Sequence, residues 1–313
     1  MKKNVVIFVV MFMLSFGSLS WGAEHISLLT CGTAGTWFPM GGAFSRIWST
    51  VPGMNATAET SGCSAVNLRL VNKGEASIGF SNSDAAFFAV KGQNIFDTPF
   101  TKIRGMFMMY EDHFHIAALK SSGIRSIADL KGKKVRLGLP ATVVVEDSRI
   151  ILEAYGLKES DVKSQPLSLA DAFEQMKDGN IDVVIEPVGY PSAGYIDLAH
   201  SRDMVLLDID KDKLAQINKK YPFLSAGIIP AGTYKGQTKD VSALAVKIML
   251  FTSSDISSET IYKLTKATFQ NLNILAESHP KGKLVKLETA LADMPITLHP
   301  GAERYFREVG VIK

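Results

Sequence analysis

The 313-residue sequence has little cysteine and almost no excess charge. Its 34 Lys and Arg residues are offset by 31 Asp and Glu residues, which leaves a net charge of +3. This balance gives no electrostatic basis for binding nucleic acid or a membrane surface. The chain also has no low-complexity tract and no disorder signature. Its length and 46% hydrophobic content suit one large or two ordinary globular domains.

Common catalytic motifs are also missing. The sequence has no G-x-S-x-G, no H-E-x-x-H and no pair of acids on one loop. His113 and His115 lie two residues apart on one face of a predicted strand. Histidines in such positions are more often surface or packed side chains than catalytic ones. We therefore predict that the protein is not an enzyme and that it carries no metal and no cofactor.

The N-terminus has the three parts of a secretory signal peptide. A basic start (MKKN) precedes an apolar run from Val5 to Leu19, and small residues follow it. The run is shorter than the roughly 20 residues that span a bilayer, so cleavage near Gly22 and Ala23 is favoured over a membrane anchor. We predict a periplasmic protein whose signal peptide is residues 1–22. Removal of Lys2 and Lys3 lowers the net charge to +1.

The two cysteines, Cys31 and Cys63, both lie in the mature chain, where predicted strands give way to glycine-rich turns. An oxidising compartment permits a disulfide between them, and two small buried thiols are the equal alternative. No histidine or acidic cluster surrounds either cysteine, which argues against a metal site.

Short strands alternate with helices along the mature chain, a pattern typical of a parallel sheet covered on both faces. Strands are predicted at 25–31, 54–61, 76–84, 103–120, 134–139, 181–186, 203–209 and 242–254, and the longer helices at 38–51, 64–74, 85–92, 145–157, 168–179, 192–201, 257–280 and 284–294. The chain leaves the first βα series near residue 120 and returns near 247. We therefore predict two α/β, Rossmann-like lobes joined by a two-strand hinge, with lobe 1 at 23–119 plus 248–313 and lobe 2 at 120–247.

Three polar loops follow predicted strands of lobe 1. The first, TCGTAGTWFPMGG, has glycines that free backbone N–H groups ahead of a helix N-terminus, which together can seat an anion. It lacks the Walker ending and the full dinucleotide fingerprint, so the pattern disfavours a triphosphate or NAD site. Because ligands gather at the carboxyl ends of strands, we predict a binding site there, although Asn67, Ser83 and Asp84 could be simple helix caps. The hydroxyl and amide groups of this site are Thr33, Thr36, Ser64, Asn67, Asn82 and Ser83.

The mature chain resembles the TAXI family of solute receptors, which serve tripartite ATP-independent periplasmic (TRAP) transporters. The segments that carry the resemblance are GTAGTWFPMGGA, NLRLVNKGEASIGFSNSD, VLLDIDKDKLAQINKKYPF, IPAGTYKGQ and PITLHPGAERYFREVG. The resemblance implies type II periplasmic binding protein architecture and a small organic anion, such as glutamate or 2-oxoglutarate, delivered to TRAP permease subunits by a monomer. The family's loop positions fall on Thr33, Gly35, Thr36, Trp37, Ser64, Asn82 and Ser83. Trp37 could stack on the ligand or wall the cleft.

Lobe 2 departs from the family pattern. Where the family usually has P-G-S-G-T-E, this chain reads PATVVVE (140–146), which removes part of an anion seat. In IEPVGYP (185–191), Glu186 replaces an apolar residue, either as an exposed rim acid or as an acid facing a cationic or hydroxyl-bearing ligand. We assign Thr142, Glu186 and Gly189 to the ligand site and expect a monocarboxylate with an apolar body. The alternatives are a periplasmic sensing protein or an enzyme on the same fold, or a surface antigen.

Overall fold

The computed structural model describes residues 23–313, and the predicted signal peptide at 1–22 lies outside them. The strands are β1 (Glu24–Leu29), β2 (Met54–Glu59), β3 (Ile78–Asn82), β4 (Ile103–Leu119), β5 (Lys134–Arg136), β6 (Lys163–Ser164), β7 (Val183–Val188), β8 (Met204–Leu206), β9 (Leu224–Ile229) and β10 (Val241–Ser253). The helices are α1 (Trp37–Trp48), α2 (Cys63–Lys73), α3 (Ser83–Lys91), α4 (Val143–Ala154), α5 (Leu169–Lys177), α6 (Ala193–Ser201), α7 (Lys211–Lys220), α8 (Ser258–Gln270), α9 (Leu272–Ser278) and α10 (Pro300–Glu308).

Local sequence signals set many of the helix ends. Gly74 and Gly92 end α2 and α3 in the left-handed conformation that glycine adopts without a steric penalty. At the start of α8, the hydroxyl of Ser257 accepts a hydrogen bond from the backbone N–H of Thr260. Ser168 caps α5 in the same way through the N–H of Asp171. These caps explain why the sequence predicts the ends of α2 and α3 and the starts of α5 and α8 to within a residue. The helix predicted at 257–280 is divided into α8 and α9 at Asn271.

The strands form one sheet in the order β2-β1-β3-β10-β4-β7-β5-β6, with β8 beside β4 and β9 beside β10. The pairs β1–β2, β1–β3, β5–β6 and β5–β7 are parallel, whereas β4 and β10 run antiparallel to their neighbours. Every residue of β3 and of β7 is buried, as expected for strands covered by helices on both faces.

Two long strands, β4 and β10, lie at the centre of the sheet and belong to both halves of the molecule. Strand β10 pairs with β9 from Val241 to Val246 and with β3 from Ile248 to Thr252. Strand β4 pairs with β7 over its last third. The predicted α/β architecture of two lobes joined by a two-strand hinge is confirmed. On one side of this hinge lie β1–β3 with α1–α3 and α8–α10, here called lobe 1, and on the other side lie β5–β9 with α4–α7, here called lobe 2.

The hydrophobic core is continuous through the hinge. In lobe 1, Phe44 of α1 contacts Trp48, Phe80 and Phe107, with ring centroids 5.5, 5.9 and 6.1 Å apart. The same cluster of buried side chains extends through Phe114 into the interior of lobe 2. Buried side chains of the hinge strands therefore pack against the cores of both lobes. Among residues 23–313, no helix is both long and apolar enough to cross a membrane.

One predicted helix is wrong. The segment 284–294 contains only the short 3₁₀ turn Leu287–Thr289, after another at Pro280–Leu284. Its backbone instead pairs with the hinge, since the N–H of Met108 donates to the carbonyl of Ala290 at 2.7 Å. Asp293 has a φ of 58°, which no α-helix contains. Contacts with β4 outweigh the helical pattern of this segment.

Candidate functional site

A cavity of about 150 Å³ lies between the two lobes, at the carboxyl ends of the strands. A smaller cavity of about 40 Å³ adjoins it and shares several of its walls. The larger cavity is lined by Cys31, Gly32, Ala34, Gly35, Thr36, Trp37, Ser61, Gly62, Cys63, Ser64, Asn82, Asp112, Arg136, Leu139, Val144, Ser168, Leu169, Ala170, Glu186, Pro187 and Val188.

The first polar loop forms one wall of the cavity. Gly35, Thr36 and Trp37 line the cavity, as does Gly32. Thr33 is exposed and does not line it. The loop therefore contributes through backbone and through Trp37, with one of its two predicted hydroxyls turned away.

Cys31 and Cys63 form a disulfide with their Cα atoms 4.4 Å apart. Of the two alternatives that the sequence leaves open, the structure contains the bonded pair. The bond joins the loop after β1 to the start of α2, and both cysteines line the cavity. The disulfide thus fixes two walls of the site relative to each other.

The other polar residues of lobe 1 divide into cavity walls and supports. Ser64 and Asn82 line both cavities, and the hydroxyl of Ser64 accepts from the N–H of Asn82 at 3.0 Å. Asn67 is fully buried, and its Nδ2 donates to the carbonyls of Leu29, Thr30 and Phe80. Asn67 therefore ties strand ends together and does not reach the cavity. Ser83 is buried and lines neither cavity.

Lobe 2 supplies a buried ion pair to the cavity. Arg136 of β5 and Glu186 of β7 pair through Nη1 and Oε2, with side chains only 5% and 10% exposed. Arg136 also donates from Nε to the carbonyl of Leu167 at 3.1 Å and from Nη1 to that of Ile185 at 2.9 Å. No hydrogen-bond partner of Arg136 Nη2 occurs within residues 23–313. Glu186 is therefore a buried cavity residue and not an exposed rim acid.

Arg136 is not among the residues predicted for the site, although the sequence contains a signal for it. Arg136 lies in a predicted strand that is otherwise apolar at its centre, and Glu186 ends another. In the parallel register, Arg136 is opposite Val184, so Glu186 shares its face two residues further on. Two opposite charges in neighbouring buried strands predict an ion pair once the strand order is known.

The loop PATVVVE (140–146), which differs from the family pattern, also lies at the cavity. Val144 lines both cavities and Thr142 lines the smaller one, where its hydroxyl donates to the carbonyl of Leu139 at 2.6 Å. Val144 and Leu139 give this wall an apolar surface. On the side of lobe 2, valine therefore takes the place of polar residues in the cavity wall, and fewer polar groups face the cavity there.

The N-terminal ends of five helices meet at the cavity, since it is lined by residues at the starts of α1, α2, α4 and α5 and by Asn82, which immediately precedes α3. A helix N-terminus carries a partial positive charge of roughly +0.5. Neither α1 nor α2 has an acidic residue in its first turn or a side-chain cap. The arrangement therefore favours a negative charge in the cavity.

An acidic residue of the hinge is also part of the cavity wall. Asp112 of β4 is buried, and its Oδ2 accepts from Nε1 of Trp37 at 2.9 Å. Burial raises the pKa of Asp112 to about 7, and Glu186 adds to this rise, whereas Lys281 and the bond from Trp37 oppose it. Lys281 does not line the cavity. Its Nζ lies 3.8 Å from the ring centroid of Tyr190, and burial lowers its pKa to about 8.

Direct contacts close the lobes over the cavity. The hydroxyl of Ser192 and the N–H of Gly194 both donate to the carbonyl of Ala34, at 2.9 and 3.2 Å. The N–H of Gly189 donates to the hydroxyl of Thr36 at 3.3 Å. A Cβ on Gly189 would lie 2.9 Å from the methyl carbon of Thr36. Gly189 therefore contacts Thr36 of the other lobe and does not line the cavity.

The two hinge histidines are packed side chains. His115 is buried, with Nδ1 2.7 Å from the carbonyl of His113 and Nε2 2.9 Å from the hydroxyl of Tyr234. Burial lowers the pKa of His115 to about 3 and that of His113 to about 4, so both are neutral near pH 7. Neither lines the interlobe cavity.

Solved structures of solute receptors share this fold. MatC from Rhodopseudomonas palustris with bound malate is 11% identical and covers 92% of this chain and 97% of its own, with a TM-score of 0.58. The alkanesulfonate-binding protein SsuA from Xanthomonas axonopodis pv. citri, bound to MOPS, is 15% identical, covers 90% and 82%, and has a TM-score of 0.52. A further structure, of a periplasmic transporter, is 10% identical, covers 92% and 93%, and has a TM-score of 0.54.

These likenesses confirm the type II periplasmic binding protein architecture. The neighbours are solute-binding receptors rather than enzymes, and the TAXI assignment stays a prediction. A family match extends from residue 28 to residue 310. The protein thus belongs to the NMT1-like family and has the fold of periplasmic solute-binding proteins.

Proposed function

We propose that this protein is a periplasmic receptor that binds a small monocarboxylate in the interlobe cavity and delivers it to a membrane permease. The observation that carries the proposal is the meeting of five helix N-termini and one buried arginine at a cavity of about 150 Å³. Partial positive charges and a guanidinium favour an anion. Two solved structures with this fold each contain a small anion: malate in MatC and MOPS in SsuA.

The charge of the lining favours one carboxylate over two. Glu186 offsets the charge of Arg136, and Asp112 adds negative charge when it is ionised. A dicarboxylate would bring a second negative charge to a site with no further cation among its lining residues. Leu139, Val144 and Val188 provide an apolar surface for the rest of the ligand.

The residues assigned to the ligand are those whose polar groups reach the cavity. We propose that Nη2 of Arg136 and the backbone N–H groups around Gly35 and Ser64 hold the carboxylate. Asn82 supplies a neutral amide beside them. Trp37 and Val144 would then contact the apolar body from the two lobes.

We further propose the lobe boundaries 23–119 plus 248–313 and 120–247, and a TRAP permease of the TAXI type as the partner. The switch of β10 from β9 to β3 between Val246 and Ile248 supports the second boundary. The TAXI motifs support the partner. Uptake of the ligand by cells should then persist when ATP hydrolysis is blocked and fail when the ion gradient is collapsed. ATP-dependent uptake would contradict a TRAP partner.

The test of ligand class is a thermal-shift and calorimetry screen of the mature protein. The panel includes 4-methyl-2-oxopentanoate as an apolar monocarboxylate and both 2-oxoglutarate and glutamate as dicarboxylates. We expect apolar monocarboxylates to stabilise the protein and Arg136→Ala to weaken their binding about 10- to 100-fold, the loss typical of one charged hydrogen-bond partner.

The matched control is Arg125→Ala, which removes an exposed arginine of lobe 2. This variant should bind as the wild type does. Stabilisation by the dicarboxylates alone, or equal binding by Arg136→Ala and wild type, would overturn the monocarboxylate proposal.

A further inference from the structure

Two carboxyl groups from different lobes meet in the interior, away from the ligand cavity. Asp84 lies in the first turn of α3 in lobe 1, and Asp147 lies in α4 of lobe 2. Each carboxyl shifts the pKa of the other, and the helices that carry them pack together, with Ala85 of α3 and Val143 of α4 buried in one apolar cluster. Asp84 is 0% exposed and Asp147 is 1% exposed. Two buried acids in contact across a hinged boundary require an explanation.

Neither acid is neutralised by a base. Oδ2 of Asp84 and Oδ2 of Asp147 both lack a hydrogen-bond partner in the described part of the chain. Oδ1 of Asp84 accepts from the N–H of Ala85 at 2.7 Å. An unsatisfied carboxylate in the interior is costly, so a shared proton is the simplest way to satisfy this pair.

The charged groups around the pair do not change this conclusion. Beside Asp147, a cavity of about 150 Å³ is lined by Glu146, Arg149 and Glu153 of α4 and by Tyr221. Arg149 is engaged by Glu146 and by Glu159, the latter at 2.6 Å. The negative charge of Glu146 further disfavours an ionised Asp147. Within residues 23–313, Asp147 is the charged side chain that acts on Asp84.

The contact exists only when the lobes are together. Val143, which begins α4, packs into the lobe 1 core with Ala85 and Ala86. Phe88 of α3 meets Phe223 of lobe 2 edge to face at 5.4 Å between centroids. Opening of the hinge would separate these surfaces and expose both acids to water. Asp84 and Asp147 are therefore buried, and able to retain the proton, in the closed form.

We propose that Asp84 and Asp147 form a proton-binding site between the lobes, in which one shared proton holds the receptor closed and its loss favours opening. This site adds a regulatory step to the proposed receptor and rests on its hinge closure, but not on the identity of its ligand. The start of α3 and the N–H of Ala85 favour ionised Asp84, which places the proton on Asp147.

The direction of the pH effect follows from burial. Burial raises the pKa of Asp84 to about 6 and that of Asp147 well above its ordinary value, relative to acids that are solvated in the open form. The closed form therefore binds more protons than the open form. Closure is favoured at low pH and is lost as pH rises from about 4 through these raised values.

The experiment is small-angle scattering of the mature chain without ligand, from about pH 5 to about pH 8, fitted to open and closed forms. The ratio of closed to open wild-type protein should fall by up to about tenfold per pH unit, the linkage of one proton. Asp147→Asn keeps a neutral hydrogen-bonding group and should give a ratio that stays nearly constant with pH. Asp84→Asn removes the neighbouring charge but leaves Asp147 buried beside Glu146, so it should reduce the pH response without abolishing it. This variant covers the case in which Asp147→Asn does not fold.

The matched control is Asp97→Asn, an exposed acid of lobe 1, which should retain the wild-type pH response. Scattering by wild type that is unchanged over this range would overturn the proposal, and so would an unaltered response in both buried variants. A response to sodium in place of choline at fixed pH, with none to pH, would identify a cation site and also overturn it. Because no ligand is added, failure of the ligand proposal would leave this result unaffected.

Discussion

At the scale of the residue, Trp37 shows how one side chain can serve both the packing and the site. The sequence leaves open whether it stacks on the ligand or walls the cleft. In the structure it lines the cavity, stacks on Phe80 at 5.6 Å and donates to Asp112. Its indole N–H thereby stabilises the ionised form of a buried acid whose pKa is about 7.

Replacement of Trp37 should therefore destabilise the protein in a pH-dependent way. Trp37→Phe keeps the aromatic packing and removes the hydrogen bond that favours ionised Asp112. We expect a loss of about 1–3 kcal/mol in the free energy of unfolding near pH 8, where Asp112 is ionised, and a smaller loss near pH 5, where it is protonated. Urea unfolding at the two pH values measures the difference.

The matched control is Trp48→Phe. Trp48 is fully buried and donates to the hydroxyl of Thr268 at 2.9 Å, an acceptor that does not titrate. Its loss should be the same at both pH values. A pH-independent loss in Trp37→Phe as well would show that Asp112 does not change its ionisation in this range.

Residue types predicted part of the site but not which side chains face the cavity. Gly35, Trp37, Ser64 and Asn82 line it, whereas Asn67 has the same chemistry and bonds backbone carbonyls instead. Ser64 and Asn67 lie on the same helix, α2, about one turn apart. No local sequence signal shows which of the two faces the cavity. Arg136 was missed because its partner, Glu186, lies 50 residues away.

At the scale of the element, βα alternation determined most of the site. Each strand-to-helix turn places a helix N-terminus at the carboxyl edge of the sheet, so the predicted alternation already implies several helix ends near one point. The segment 284–294 shows the limit of this reasoning. Its apolar spacing suits a helix, but the carbonyl of Ala290 accepts a hydrogen bond from β4, a contact that the local sequence does not predict.

The disulfide is the covalent link between two of these turns. It closes a loop with a sequence separation of 32 residues between Cys31 and Cys63. We expect reduction to lower the free energy of unfolding by about 3–4 kcal/mol, because the open loop adds conformational entropy to the unfolded chain. Urea unfolding with and without dithiothreitol measures this change.

The double variant Cys31→Ser with Cys63→Ser provides the comparison. Its stability should equal that of the reduced wild type and should not respond to dithiothreitol. Identical unfolding of oxidised and reduced wild type would show that the bond does not contribute to stability.

At the scale of the whole molecule, the proposed receptor function depends on contacts between the two lobes. The sequence predicted the two crossings of the hinge, because long apolar strands near 120 and 247 stand out from the βα pattern. It could not predict that Ser192 and Gly194 meet Ala34, or that Asp84 meets Asp147. The residues of each pair are distant in sequence, and no local pattern predicts which of them will meet.

Native mass spectrometry of the protein purified from its own periplasm tests the binding of a small anion most directly. We expect wild-type protein to retain one small molecule, identified as a monocarboxylate after release, and Arg136→Ala to retain none. A retained cation, sugar or dicarboxylate, or equal retention by the variant, would contradict the proposal that helix N-termini and Arg136 select a single carboxylate.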